Sequence, residues 1–286
     1  MFIIDGMGIL NVQYFGQKNA KPEERIPASD AAMYFIKKMI KDYAVTHMVV
    51  VLDCGRDFTF RRKMYAGYKA NRPETEPELR QQREEFIIKL KATGIPILMS
   101  QEFEADDYAG TLVKQYSSIE PVILISKDQD YLQLVNENTY LWLMKTKEKM
   151  NDLVRDYGID NMVTEKIYSF TPEMVKKVYG LEPKQIIDLK ALNGDSSDNI
   201  PGVKGLGKAA LSLLQYYGDI EDMYLEMDCV PEEAMKKFWK EKMKLGPAKY
   251  NMLQEQKDMA FLSKRLATIY QDIPLIYGLE QYRIKK

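Results

Sequence analysis

Four short apolar runs, at residues 2–4, 48–52, 95–99 and 122–125, constrain this chain more than anything else in it. Each is rich in Val, Ile or Leu, and none alternates clearly with polar residues. A parallel strand covered on both faces reads this way. Helical spacing fills the gaps: Ala32, Phe35, Ile36, Met39 and Ile40 within 28–43, Leu79, Phe86, Ile87 and Leu90 within 78–92, and a third helix over Ala105–Tyr116. Alternating strand and helix patterns predict an α/β domain on a parallel sheet over roughly the first 145 residues. Residues 145–180 are polar with weak periodicity. From 171 onward the pattern reads as helices only, at 172–179, 183–192, 208–217, 231–244 and 248–262, which predicts a smaller helical domain.

Acid follows each apolar run. Asp5 comes directly after the first and Asp53 directly after the second. Glu104, Asp106 and Asp107 follow the third and open a helix, and Asp128 and Asp130 follow the fourth. Open parallel sheets collect functional groups at the carboxyl ends of their strands. Up to seven carboxylates on one edge repel unless something neutralises them. Hard oxygen ligands suit Mg²⁺ or Mn²⁺. Singly, each acid has an ordinary reading as a turn residue, an N-cap or a partner of the helix dipole. Four coincidences weigh against that reading for the set.

Lys and Arg number 41 against 42 Asp and Glu, a net charge of −1, so any nucleic-acid reading must rest on where the charges sit. The basic segment 56–72 holds six Lys/Arg against one Asp, with Phe58, Phe60, Tyr65 and Tyr68 interleaved. Basic groups can track phosphates while rings stack on unpaired bases. A cationic surface helix with its rings in the core fits this segment equally well. A second acidic element, Asp195 to Asp198, precedes a turn containing Gly202, Gly205 and Gly207 and then Lys208. By itself Asp195–Asp198 reads as an Asx-rich loop. The glycines lack the dinucleotide-binding spacing and no strand precedes them. A helix–turn–helix grip on a nucleic-acid backbone fits them better. Cys54 and Cys229 are 175 positions apart and predict no disulfide scaffold. His47 is the sole histidine and is read as structural. The first residues do not look like a secretory leader, and no run approaches the length of a spanning helix.

Together these motifs resemble the 5′-nuclease family, the flap endonucleases and the 5′→3′ exonuclease domain of bacterial DNA polymerase I. The resemblance rests on Ile4-Asp5-Gly6, on Val51-Leu52-Asp53 with Phe60-Arg61 and Tyr68-Lys69-Ala70-Asn71-Arg72-Pro73, and on Glu104-Ala105-Asp106-Asp107. It continues in Ser126-Lys127-Asp128-Gln129-Asp130 and in Gly194-Asp195-Ser196-Ser197-Asp198-Asn199-Ile200-Pro201-Gly202 with Gly205-Leu206-Gly207. It implies a PIN-like α/β nuclease domain over 1–170, with a helical gateway around 56–92. A helical domain with a helix–three-turn–helix element that binds duplex DNA would follow over 171–286. It also implies two Mg²⁺ or Mn²⁺ ions. Asp5, Asp53, Glu104 and Asp106 would surround one, and Asp106, Asp128, Asp130 and Asp195 would serve the other. Asp107 and Asp198 would act nearby.

The same resemblance gives Lys69 and Arg72 a catalytic contact with the scissile phosphate and has Tyr68 stack on or guide the strand, with Arg61 among the DNA-binding residues. Gly202, Lys204, Gly205, Gly207 and Lys208 would grip DNA, and a K⁺ ion would sit near Ile200, Val203 and Leu206. The implied partner is branched or 5′-ended DNA. The implied protein is a freestanding, cytoplasmic monomer with no membrane association, making 5′-phosphate and 3′-hydroxyl products in replication or repair. A non-catalytic DNA-binding protein and a PIN-type ribonuclease are the alternatives. Three features depart from the family pattern: Lys127 before Asp128, non-basic Val12 and Gln13, and a longer stretch at 145–170.

Overall fold

The computed structural model describes residues 1–53, 55, 58–158, 161–275 and 277–284. Arg56 and Asp57 of the basic segment, Cys54, and Lys285 and Lys286 of the basic tail lie outside the described residues. The chain divides into a sheet unit, Met1–Phe60, Pro73–Thr171 and Ile269–Lys286, and a helical unit, Arg61–Arg72 and Pro172–Thr268.

The strands of the sheet unit are β1 (Phe2–Asp5), β2 (Met48–Val51), β3 (Ile97–Leu98), β4 (Val122–Ser126), β5 (Thr139–Met144), β6 (Met162–Thr164) and β7 (Ile167–Phe170). Its helices are α1 (Gly6–Gly16), α2 (Ala28–Asp42), α3 (Phe60–Met64, which runs into the helical unit), α4 (Pro77–Thr93), α5 (Ala105–Tyr116) and α6 (Lys147–Tyr157). The sheet order is β3-β2-β1-β4-β5-β7-β6. The first five strands are parallel, as the apolar runs predict, while β7 and β6 add an antiparallel edge. Strands β5, β6 and β7 and helix α6 occupy a stretch where the sequence shows no clear period.

The four runs are buried because helices cover the sheet. Ile4, Val50 and Leu52 pack with Ile9, Ile36, Phe86 and Leu90 in one core. Truncating the fully buried Phe86 to Ala should cost about 3–5 kcal/mol. Pairing Asp5 with Val51 aligns the carboxyl ends of β1 and β2. Strand order reverses between β1 and β4, the point at which open α/β sheets place their functional groups beyond the carboxyl ends. Asp5 ends β1, and Asp128 follows β4.

The segment from Ile269 onward returns to this unit. The amides of Ile269 and Tyr270 donate to the Gln133 and Asp107 side chains at 2.9 and 2.8 Å. Ile284 N–H donates to the Thr46 carbonyl, and Tyr282 is fully buried. Gly110 of α5 allows this approach, since a Cβ there would lie 2.6 Å from the Ile269 side chain and 3.2 Å from the Tyr270 carbonyl oxygen.

The helical unit contains α7 (Pro172–Tyr179), α8 (Gln185–Asn193), α9 (Ala209–Tyr217), α10 (Ile220–Cys229), α11 (Glu232–Phe238), α12 (Pro247–Glu255) and α13 (Lys257–Ala267). Leu192, Val203, Leu206, Leu213, Leu214 and Trp239 belong to its core. Helix α10 falls between the helices expected from spacing, and the expected 248–262 helix is broken at Gln256. Gln256 is tied elsewhere: Lys204 N–H donates to its Oε1 at 2.8 Å, and its Nε2 donates to the Lys204 carbonyl at 3.2 Å. Gly202 takes φ 63°, and a Cβ there would stand 2.2 Å from the Gly194 nitrogen, so α8 and the glycine turn meet only through glycine. Among the described residues, no helix is long and apolar enough to cross a membrane.

Candidate active site

In the sheet unit the carboxylates are held by the elements that deliver them. Asp5 caps α1: Gly8 N–H donates to its Oδ1 at 2.7 Å, and the Ser126 hydroxyl donates to its Oδ2 at 2.6 Å. Burial pushes the Asp5 carboxyl up to about 6. Neighbouring Asp53 and Asp128 add to the rise, and the Ser126 and Gly8 bonds oppose it. Asp53 accepts Ala105 N–H at 2.9 Å, which ties the end of β2 to the start of α5, and its own carbonyl accepts from Arg83 of α4. Glu104 is the N-cap of α5 in a capping box with Asp107. Asp107 is fully buried, and its two oxygens accept the amides of Glu104 and Tyr270. Asp128 accepts the amide of Asp130, which is half-buried.

These placements give each acid a structural task and still bring the acids together. Glu104, Asp106 and Asp107 present oxygens within 4.8 Å of one another, close enough to hold one ion. Burial pushes the Tyr131 phenol well up, with Asp5, Asp106, Asp53 and Asp128 all adding to the shift. Four of the predicted acids therefore act electrostatically on one phenol. Tyr131 is 3% exposed, and its hydroxyl has no hydrogen-bond partner among the described residues. Carboxylates acting on a protonated phenol, with oxygen as the only donor type, fit hard divalent cations. Sequence reading did not single out Tyr131 or Ser126 as site residues. The available signal was a polar last residue on β4 and a ring directly after Asp130.

The helical unit holds the remaining predicted residues, and there the acids have basic partners. Asp195 pairs with Lys190 at 2.6 Å and accepts both the amide and the hydroxyl of Ser197. Burial pushes its carboxyl up, but the Lys190 and Ser197 bonds outweigh burial and hold it at about 2. Asp198 is buried and pairs with Arg72, and with Lys69 at 3.6 Å. Tyr68 is 3% exposed, with its hydroxyl 3.3 Å from Asp198 and the Lys69 ammonium 4.9 Å from its ring centre. Arg61 is 1% exposed and donates to the carbonyls of Leu266 and Thr268, near the end of α13. Within the segment read as a helical gateway, α3 ends at Met64 and turns carry the chain to Arg72.

The glycine turn is exposed at Lys204, Gly205, Gly207 and Lys208, while Gly202 and the side chains of Ile200, Val203 and Leu206 are buried. Gly205 and Gly207 take φ 85° and 57°. The carbonyls of Ile200, Val203 and Leu206 accept the amides of Asp195, Leu206 and Ala209. Lys249 donates to the Gly205 carbonyl at 2.5 Å. The turn thus presents backbone and two lysines to solvent on a rigid support.

Residues 1–179 match the family model for the 5′-3′ exonuclease N-terminal resolvase-like domain, and residues 181–286 match that for the 5′-3′ exonuclease C-terminal SAM fold. A 5′-3′ exonuclease of Buchnera aphidicola is 34% identical over 275 residues, covering 95% of this chain and 82% of its own length. DNA polymerase I of Caldicellulosiruptor bescii is 36% identical across 100% of this chain, which spans only 31% of that polymerase. A solved structure of T5 5′-exonuclease with bound zinc ions superposes with a TM-score of 0.68 at 21% identity, over 93% of this chain and 88% of that one, and shares the fold.

Proposed function

The chain belongs to the 5′-3′ exonuclease family, and from that premise we propose that it is a metal-dependent 5′ nuclease. Its substrates are DNA flaps and 5′ ends, and its products carry 5′-phosphate and 3′-hydroxyl groups. One observation carries the reading: Glu104, Asp106 and Asp107 bring carboxylate oxygens within 4.8 Å of one another at the start of α5.

Bound Mg²⁺ or Mn²⁺ would supply a hydroxide nucleophile at neutral pH and neutralise the phosphate. The chain's own residues do the rest. By the family pattern, Asp5, Asp53, Glu104 and Asp106 would hold one ion, and Asp106, Asp128, Asp130 and Asp195 would hold the other, with Asp107 and Asp198 nearby. Asp107 keeps the start of α5 in register through its two backbone bonds. Tyr131 keeps its proton and offers an O–H among the carboxylates. Lys69 and Arg72 place positive charge on the scissile phosphate. Lys204, Lys208 and the amides at Gly205 and Gly207 grip the duplex backbone, while the Gly202 amide, expected to join them, is buried and donates to the Ser263 hydroxyl; a K⁺ ion would sit near Ile200, Val203 and Leu206.

The test is cleavage of a labelled 5′-flap DNA, a single-stranded DNA and an RNA side by side. Flap and 5′-ended DNA should be cut with Mg²⁺ or Mn²⁺ and left intact in excess EDTA. Undiminished cleavage in EDTA overturns the metal reading. Preference for RNA moves the protein to the ribonuclease alternative.

A further inference from the structure

Within the helical unit the basic segment and the acidic loop are joined by several polar contacts. Lys69 N–H donates to the Asp198 carbonyl at 2.8 Å. Asn71 Nδ2 donates to the Ser196 carbonyl at 2.7 Å, Arg72 Nε to the Ser197 carbonyl at 3.3 Å, and Asn199 Nδ2 back to the Gly67 carbonyl at 2.7 Å. The Asp198 carboxylate takes Arg72 on Oδ1, and on Oδ2 it meets the Tyr68 hydroxyl and the Lys69 ammonium. The two residues at the seam, Lys69 and Asn199, both adopt left-handed backbone, with φ 52° and 53°. Asn adopts that conformation readily, but a lysine holds it only where its surroundings over-determine it, as at Lys69.

We propose that Asp198 is a positioning residue: its carboxylate folds segment 61–72 onto loop 195–199 and holds Lys69 and Arg72 until a DNA phosphate takes its place. The oxygens of a phosphate diester can accept from Arg72 and Lys69 as the carboxylate oxygens do. The DNA-free protein would then keep its two phosphate-seeking cations ordered and paired. The exchange step rests on the DNA reading above, and the folding step does not.

A double-mutant cycle tests the folding step with Asp198→Asn, Arg72→Ala and the double variant, in EDTA without DNA. Amide hydrogen exchange at residues 67–72 is read against α8 and α9. Each single change should speed exchange there about tenfold, and the double variant should speed it by less than the product of the two, because both remove the Asp198–Arg72 pair. Additive effects, or unchanged exchange, overturn the proposal. Should Asp198→Asn lose protection in α8 and α9 as well, Arg72→Ala decides alone, since that side chain is 41% exposed and its loss leaves the core intact. For the exchange step, Asp198→Asn should bind a 5′-phosphorylated single-stranded oligonucleotide in EDTA several-fold more tightly than the parent does. Equal or weaker affinity overturns it. If the parent cuts no DNA while the cycle still couples, the nuclease reading falls and the positioning role stands.

Discussion

The two acidic regions use the same functional group to opposite effect. In the sheet unit, Asp5 is pushed up to about 6 by burial and by Asp53 and Asp128. In the helical unit, Asp195 is held at about 2 because Lys190 and Ser197 face it. The difference lies in the counter-charge supplied by the chain. Where the fold provides a lysine, an acidic cluster completes itself and stabilises the protein. Where acids face acids, the folded state carries an electrostatic cost that an external cation removes.

The widest gap between the regions should appear in turnover. Asp106→Asn removes one charge from the sheet cluster while keeping its shape. Cleavage of a 5′-flap substrate should fall by several orders of magnitude, while affinity for the same DNA in EDTA stays equal or improves. Parental cutting rates in the variant would remove Asp106 from the centre.

Stability of the metal-free protein sharpens the contrast next. Because the folded pKa of Asp5 is raised from 3.8 to about 6, its stabilising contribution is full below pH 4 and is lost as pH rises through 6. Above that pH the ionised carboxylate costs roughly 3 kcal/mol. Asp5→Asn should therefore stabilise the protein in EDTA at pH 7.5, and the gap should close at pH 4. Urea melts at both values check this, and a gap unchanged with pH breaks the comparison.

Asp195→Asn should do the reverse. Its depressed pKa contributes stability that is full above pH 4 and lost as pH falls through 2. The group is partly exposed, so solvent screening leaves about 1 kcal/mol. The variant should be less stable at pH 7 and equal to the parent near pH 2. A stabilised variant at pH 7 would make the two regions alike.

The smallest expected effect is Tyr131→Phe. Deleting a buried hydroxyl that lacks a partner should change metal-free stability by under about 1 kcal/mol, towards higher Tm. A large loss of Tm would show that the phenol already has a partner in the metal-free protein.

Sequence pattern reveals what is local. Strands β1 to β4 are readable because a strand covered on both faces is apolar throughout, and the seven sheet acids are readable because they follow such runs. The antiparallel edge is not readable in this way, since β7 pairs with β5 across the intervening α6. Helix α10 does carry a local signal in Asp219, whose side chain caps it, yet the flanking helices mask its period. At the break, the Gln256 side chain bonds Lys204, far away in sequence. Arg61 sits in a basic run that reads as a DNA contact, but its guanidinium bonds carbonyls more than 200 positions away. No local pattern distinguishes a buried arginine from an exposed one.

The return of the segment after Ile269 to the sheet unit governs the order in which the protein can be completed. Synthesis delivers all seven strands by Phe170. At that moment Asp107 still lacks the Tyr270 amide, and the ring of Tyr282 is missing from its burial place. About a hundred more residues must leave the ribosome before those groups arrive, a delay of several seconds at typical translation speeds. The helical unit, which ends at Thr268, has its whole chain delivered before that segment emerges. The α/β part therefore starts earliest and closes last, so a nascent chain stalled before Ile269 would hold an unsealed sheet.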